Sequence, residues 1–195
     1  MSLRPAFQIG LWNAWIIEVL GLLTFLPTLM SKEAIKKRPE GEPTWSEFSK
    51  TDKAVFLITH PIIVPFALIY SIFLPLKVGT VWFYVGIPIS ILALFMGFMA
   101  GISFATGPFD KPITGGVYRF SRHPWYFAWF LMFVGIGIAC ASWVFLLCAV
   151  VWIISWNIGV VSEERVLIEK YGDAYREYMN RTPGWIGIPK SGEKK

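Results

Sequence analysis

The chain has 195 residues, of which 55% are hydrophobic and only 16% are charged, and its mean hydropathy is +0.54. Soluble domains carry about a quarter charged residues, so this composition argues against a soluble enzyme and favours one domain embedded in a membrane. The net charge of +5 suits anionic lipid headgroups, and the absence of a basic face with stacking aromatic residues argues against a nucleic-acid partner.

Long segments without Asp, Glu, Lys or Arg predict five transmembrane helices, because one crossing takes about 20 apolar residues. The uncharged runs are Ala54–Leu76, Val78–Phe109 and His123–Ser162, and Pro5–Ser31 is interrupted only by Glu18. The run of 40 residues from His123 is too long for one crossing and is predicted to fold back near Ala139–Ser142. The predicted helices cover residues 8–30, 53–76, 79–104, 124–140 and 143–161.

Positive charges alternate along the segments outside these helices. In chain order the segments contain one, six, one, three, no and seven Lys or Arg residues. By the positive-inside rule, the N-terminus is expected outside and the C-terminus in the cytoplasm. The sequence therefore predicts an all-α polytopic membrane protein, forming a single membrane domain over residues 1–195. Residues 1–104 supply three helices, and residues 105–195 supply a loop, a tight hairpin of the last two helices and a cytoplasmic helical segment.

Few residues within the predicted helices could carry chemistry. Glu18 is costly in a bilayer and is interpreted as either functional or paired. Gly97 and Gly101 have the small-xxx-small spacing that allows close helix packing. Cys140 and Cys148 are interpreted as packing residues, and the scattered His and Cys residues lack the ligand spacing of a zinc site.

Ionisable residues are predicted to meet where the hairpin returns to the cytoplasm. Arg122 and His123 precede it and Glu163 and Glu164 follow it. Pro124 suits a first helical turn, whose free amides would form an anion site beside the Arg122 guanidinium. An equally good interpretation makes Arg122 a positive-inside anchor and His123 a helix cap. The two glutamates could pair with arginines, or they could bind the ammonium group or ribose hydroxyls of a ligand.

The last predicted helix is expected to continue past Glu163 into the cytoplasm. Glu163, Leu167, Tyr171, Tyr175 and Tyr178 recur at spacings of four, four, four and three residues, which places them on one helical face. Gly172 is expected to weaken this helix without ending it. One end of the aromatic face would then meet the ionisable residues.

Motifs in the C-terminal half resemble a known family. They are GVYRFSRHPWY at Gly116–Tyr126, EERVL at Glu163–Leu167, YGDAYREY at Tyr171–Tyr178 and PGWI at Pro183–Ile186. With a helical hairpin between the first two, this pattern resembles the isoprenylcysteine carboxyl methyltransferases and the related phospholipid N-methyltransferases. The first three predicted helices carry no such motif.

The resemblance implies S-adenosylmethionine as the cofactor, held by the cytoplasmic ends of the last two helices and the C-terminal segment. The cofactor contacts that it implies are Tyr118, His123, Pro124, Tyr126, Glu163, Tyr171 and Tyr175. Arg122 and Glu164 match positions that touch the cofactor or the methyl acceptor, and they are the candidate catalytic residues. Trp185 is expected to close over the site together with the C-terminal tyrosines.

The methyl acceptor is expected to be lipid-borne. An ionised carboxylate attacks a sulfonium methyl group without a general base, so a shortage of buried acids and bases favours a prenylated cysteine carboxylate. A phosphatidylethanolamine-type amine is the alternative and would first lose a proton to His123 or a glutamate. The tail would enter between helices from the bilayer, and the cofactor would enter from the cytoplasm.

Two other classes of function compete with this interpretation. NADPH-dependent sterol-type reductases have a C-terminal region that resembles the Arg-His-Pro-x-Tyr and Tyr-Gly motifs of this chain, although those enzymes are longer and have more transmembrane crossings. A non-catalytic protein could use the ionisable residues only to bind lipid headgroups. Cofactor binding discriminates among the three classes.

Overall fold

The structure is a computed structural model and describes residues 7–32 and 50–187. Within these ranges the α-helices are α1 (Trp15–Leu22), α2 (Leu26–Met30), α3 (Lys50–Ile72), α4 (Val81–Thr106), α5 (Pro124–Ala139), α6 (Trp143–Tyr171) and α7 (Asp173–Arg181). Single 3₁₀ turns lie at Leu23–Phe25 and Gly116–Arg119. The described residues contain no β-strand, which confirms the predicted all-α class. The basic loop predicted between Ser31 and Thr51 lies mostly outside the described residues.

Two helices of the described chain are long and apolar enough to cross a membrane. They are α4, with 26 residues, and α6, with 29 residues. Shorter apolar helices cover Trp15–Met30, Ile62–Ile72 and Pro124–Ala139. Large apolar side chains point outward from these helices, including Ile69 at 59% exposure, Phe95 at 62% and Ile154 at 55%. An outer surface of this kind is suited to lipid rather than to water.

The first helix is shorter than predicted, because residues before Trp15 pair with the segment that follows α3. The amide of Ala14 donates to the carbonyl of Leu74 at 2.9 Å, and the amide of Leu76 donates to the carbonyl of Trp12 at 3.0 Å. This pairing satisfies backbone groups that a helix would otherwise satisfy internally. It also ends α3 at Ile72, four residues before the predicted end at residue 76.

Replacing Asn13 by alanine is expected to destabilise this end of the bundle by about 1–3 kcal/mol, since two part-buried hydrogen bonds, each contributing about 0.5–1.5 kcal/mol, would be lost. The Asn13 side chain is buried, and its Nδ2 donates to the carbonyls of Gln8 at 2.6 Å and Ile72 at 2.7 Å. The melting temperature in detergent measures the effect. Asn180→Ala, on the exposed surface of α7, is the matched control. Equal melting temperatures for the two variants would contradict the expectation.

Small residues allow the central helices to approach closely. A Cβ atom on Gly86 of α4 would overlap the backbone of Ala139, and one on Gly135 of α5 would overlap the hydroxyl of Ser90. Gly97 and Gly101 face Thr24, so their predicted packing role is confirmed. The core beside this contact joins α1, α3, α5 and α6. It includes Ile17, Ala67, Met132, Phe133, Ile136 and Phe145.

The C-terminal part differs from the predicted continuous helix. Gly172 has φ +56° and ψ −129°, a conformation that glycine adopts readily and that ends α6 at Tyr171. The expectation that Gly172 would only weaken the helix is therefore wrong. As a result Tyr175 and Tyr178 lie on a separate helix, α7, which is joined to the segment before α5 by the hydrogen bond from the Tyr178 hydroxyl to the Tyr118 carbonyl.

Candidate active site

Ionisable and aromatic side chains meet where the N-terminus of α5, the polar end of α6 and the segment after α7 come together. Pro124 occupies the first turn of α5, and His123 precedes it with a non-helical backbone. Glu163 and Glu164 follow the apolar part of α6. We call the group formed by Arg122, His123, Tyr126, Glu163 and Glu164 the polar cluster.

Glu164 is held by two basic side chains. Its Oε1 accepts a hydrogen bond from Arg122 Nε at 2.8 Å and lies 3.0 Å from His123 Nε2. The side chains of Arg122 and Glu164 are each 14% exposed, so this ion pair is largely shielded from water. Such a pair is stable while both partners remain, because either one alone would leave a poorly solvated charge.

Arg122 connects three parts of the chain. Besides binding Glu164, its Nη1 donates to the carbonyls of Met179 at 3.0 Å and Thr182 at 2.8 Å. These carbonyls lie at the C-terminal end of α7, where the last carbonyl groups of a helix have no N–H donor within the helix. A cationic side chain such as Arg122 can donate hydrogen bonds to them instead. The guanidinium therefore joins the entrance of α5 to α6 and to the end of α7.

Glu163 has a different environment from its neighbour. Its Oε2 accepts a hydrogen bond from the Tyr126 hydroxyl at 2.9 Å and lies 3.8 Å from His123 Nδ1. The Glu163 side chain is 28% exposed, twice the fraction of Glu164. One acid is thus held by protein cations, whereas the other presents a more accessible carboxylate.

A stack of aromatic rings supports the cluster. The His123 and Tyr126 rings are nearly parallel at 5°, with centroids 5.8 Å apart. Tyr126 also stacks on Trp156, with centroids 3.8 Å apart and an angle of 18°. Trp156 was not predicted to lie at this site. It precedes Glu163 by seven residues, or two helical turns, but within an apolar run this spacing alone does not distinguish a buried tryptophan from one that faces lipid.

The segment after α7 lies across the cluster as a strap formed by residues 182–187. The amide of Arg122 donates to the carbonyl of Pro183 at 3.0 Å, and the amide of Gly187 donates to Phe120 at 3.0 Å. Trp185 Nε1 donates to Asn157 Oδ1 at 2.8 Å, and the Trp185 ring lies 6.4 Å from that of His123. The strap is thereby joined both to the start of α5 and to α6.

The C-terminal tyrosines do not all lie at the cluster. The Tyr171 hydroxyl donates to the carbonyl of Phe109 at 3.3 Å, which ties the end of α6 to the loop after α4. The Tyr178 hydroxyl donates to the carbonyl of Tyr118 at 2.6 Å, and burial raises the Tyr178 pKa. Tyr175 is buried, and burial together with the negative charges of Glu164 and Glu163 raises its pKa. Tyr175 is thus near both acids, whereas Tyr178 is affected by Glu164 alone of the two.

Comparisons with known proteins agree with the motifs. Residues 78–174 match a family model described as phospholipid methyltransferase, a range that contains the whole polar cluster and ends before Tyr175. A protein-S-isoprenylcysteine O-methyltransferase of Dictyostelium discoideum is 32% identical over an alignment of 88 residues, and the alignment covers 40% of this chain. The match covers 32% of that relative, so the chain spans about a third of its length. These matches confirm the resemblance seen in the sequence.

Proposed function

Because this chain belongs, through residues 78–174, to the phospholipid methyltransferase family, we propose that it is an integral membrane enzyme that methylates a lipid-borne acceptor with S-adenosylmethionine. The observation that carries the proposal is the polar cluster at one end of an apolar helical bundle. Its two adjacent acids differ in environment, since Glu164 is paired with Arg122 and His123 while Glu163 is more exposed.

The residues of the cluster fit the chemistry of the cofactor. S-adenosylmethionine, when bound, would supply a methyl group on a sulfonium sulfur. An acceptor carboxylate needs no general base to take this methyl group, because its oxygen forms a bond to the methyl carbon as the carbon–sulfur bond breaks and the thioether leaves. The Glu163 carboxylate, the more accessible of the two acids, would bind an ammonium group or ribose hydroxyls, and the His123 and Tyr126 rings would border the adenine. The further residues assigned to cofactor binding are Tyr118, Pro124, Tyr171 and Tyr175.

Arg122 and Glu164 are proposed to border the acceptor side of the site. Arg122 Nε and Glu164 Oε1 lie 2.8 Å apart, so the two opposite charges compensate one another. The pair would therefore orient an acceptor carboxylate through hydrogen bonds rather than by a large net charge. The strap at residues 182–187 would limit the access of water, which strengthens the electrostatic interactions within the site.

We favour an isoprenylated cysteine carboxylate as the acceptor, as the name of the Dictyostelium relative suggests. A phospholipid amine is the second candidate and is favoured by the description of the matching family model. An amine acceptor would need a proton acceptor, and His123, which lies between Glu163 and Glu164, would be placed for that role.

Five crossings are proposed for the single membrane domain, with residues 1–104 supplying the first three and residues 105–195 supplying the rest. At one end of the bundle, Lys77 bonds to Ala139 and Leu74 bonds to Ala14. At the other end, Ser31 bonds to Ala105, close in sequence to the loop that leads to the cluster. Successive connections between the helices thus lie alternately at the two ends of the bundle. Together with the positive-inside rule, this arrangement supports an N-terminus outside and an active site and C-terminus in the cytoplasm.

Two measurements test the proposed function. In calorimetry, the detergent-purified chain is expected to bind S-adenosylhomocysteine with a dissociation constant on the order of micromolar, and to show no binding of NADPH. With radiolabelled S-adenosylmethionine, label is expected in a farnesylated cysteine and not in phosphatidylethanolamine. Labelling of the phospholipid alone would make the phospholipid amine, and not the isoprenylated cysteine, the favoured acceptor. Binding of NADPH alone would favour a reductase, and binding of neither nucleotide would favour a lipid-binding protein.

A further inference from the structure

The Trp156 ring lies within the apolar part of α6, two turns before Glu163, and is not one of the residues assigned to the cofactor or the acceptor. It stacks on Tyr126 at 3.8 Å between centroids. Tyr126 in turn donates its hydroxyl hydrogen to Glu163 Oε2 at 2.9 Å. An unbroken series of contacts therefore leads from Trp156 to the accessible carboxylate of the cluster.

The contacts of Tyr126 leave it little freedom. Its ring is nearly parallel to those of Trp156 and His123, at angles of 18° and 5°, and Trp156 is the closer of the two at 3.8 Å against 5.8 Å between centroids. Trp152, one turn before Trp156, packs edge-on against Trp156 at 5.5 Å and directs its Nε1 to the Tyr126 carbonyl at 3.5 Å. A phenol whose ring plane is fixed by this stacking has a fixed hydroxyl direction, and here the hydroxyl donates to Glu163.

We propose that Trp156 is a positioning residue, which acts through Tyr126 to orient the Glu163 carboxylate for binding the cofactor. The inference rests on the proposed function, because it takes Glu163 to be a cofactor contact. The route from Trp156 to the site runs through the Tyr126 ring, on which Trp156 stacks, and the Tyr126 hydroxyl, which donates to Glu163 Oε2.

A double-mutant cycle separates this role from general packing. Stacked aromatic pairs contribute about 0.5–1.5 kcal/mol, which corresponds to a change in a dissociation constant between about twofold and about thirteenfold. Trp156→Leu is therefore expected to weaken S-adenosylhomocysteine binding to the full-length chain by that factor, and Trp156→Phe to restore most of it. In a Tyr126→Phe background, which lacks the hydroxyl, Trp156→Leu should weaken binding by less than about twofold.

Trp129→Leu is the matched control. Trp129 also belongs to the aromatic core, packing against Phe133 and Trp152, but it does not stack on Tyr126. Its replacement should lower the melting temperature and leave the dissociation constant within about twofold of the wild-type value. Equal losses of affinity in Trp129→Leu and Trp156→Leu, or the same Trp156→Leu effect in both backgrounds, would overturn the proposal.

A spectroscopic measurement keeps the inference testable if the cofactor assignment fails. With 3-fluorotyrosine at position 126, the fluorine resonance is expected to shift and broaden in Trp156→Leu and to keep its position in Trp129→Leu. A wild-type chain that does not bind S-adenosylhomocysteine would refute the proposed function. An unchanged fluorine resonance in Trp156→Leu would refute the positioning role whether or not the cofactor binds.

Discussion

Replacing Arg122 by glutamine is expected to destabilise the protein by about 3–5 kcal/mol, because the largely buried Glu164 carboxylate loses its permanently charged partner and keeps only His123. The substitution removes the hydrogen bond to Glu164 and both bonds to the end of α7, at Met179 and Thr182. The melting temperature in detergent should fall, and limited proteolysis should cut the C-terminal segment earlier than in the wild type. Binding of S-adenosylhomocysteine should be lost with it.

The control for Arg122 is an arginine that makes only exposed contacts. Arg176 on α7 lies 3.8 Å from Asp173, with 62% of its side chain exposed. Arg176→Gln should therefore change stability by less than about 1 kcal/mol. Arg122→Lys keeps the charge but not the planar fork, and an intermediate melting temperature is expected. A wild-type melting temperature and proteolysis pattern in Arg122→Gln would show that the three contacts contribute little.

Glu163→Gln is expected to weaken S-adenosylhomocysteine binding by about tenfold to a hundredfold, with little change in melting temperature. The amide keeps an oxygen that can accept the hydrogen bond from Tyr126, so the local structure should persist. What disappears is the negative charge, and a hydrogen bond to a charged group contributes about 1.5–3 kcal/mol. Calorimetric titration and thermal unfolding of the same preparation measure the two effects.

Glu169→Gln provides the comparison for this variant. Glu169 lies on the same helix, is exposed to solvent and is not part of the polar cluster. Its substitution removes the same charge, and we expect wild-type affinity. If Glu163→Gln and Glu169→Gln bind the nucleotide equally well, Glu163 is not a cofactor contact, and the affinity would have to come from other residues of the cluster.

The members of the candidate site were largely predictable, but their contacts were not. Two pairs of ionisable residues, 40 residues apart at the ends of one apolar run, indicated that Arg122 and His123 would lie near Glu163 and Glu164. The structure brings Glu164 within hydrogen-bonding distance of Arg122 and His123 and places Glu163 Oε2 3.8 Å from His123 Nδ1. Which acid Arg122 would bind depends on side-chain direction around α6, where adjacent residues point about 100° apart.

Some features gave no local signal that could be interpreted correctly. Trp156 belongs to an apolar run in which any tryptophan could face lipid, so its stacking on Tyr126 became apparent only from the packing of α5 against α6. Tyr171 and Tyr175 shared one face in the predicted continuous helix. The positive φ at Gly172 ends that helix, which leaves Tyr171 bonded to Phe109 and Tyr175 buried beside the acids.

The sequence by itself determined the all-α class, the approximate positions of the apolar helices and the family motifs. The helices follow from the length of the uncharged runs, since a backbone surrounded by lipid must satisfy its hydrogen bonds within each helix. Only the tertiary structure decided that the first predicted helix would begin after Asn13, that the second would end at Ile72, and which carboxylate of the cluster would stay accessible. These outcomes depend on contacts between residues distant in sequence, which carry no local periodic pattern because long-range packing rather than local propensity establishes them.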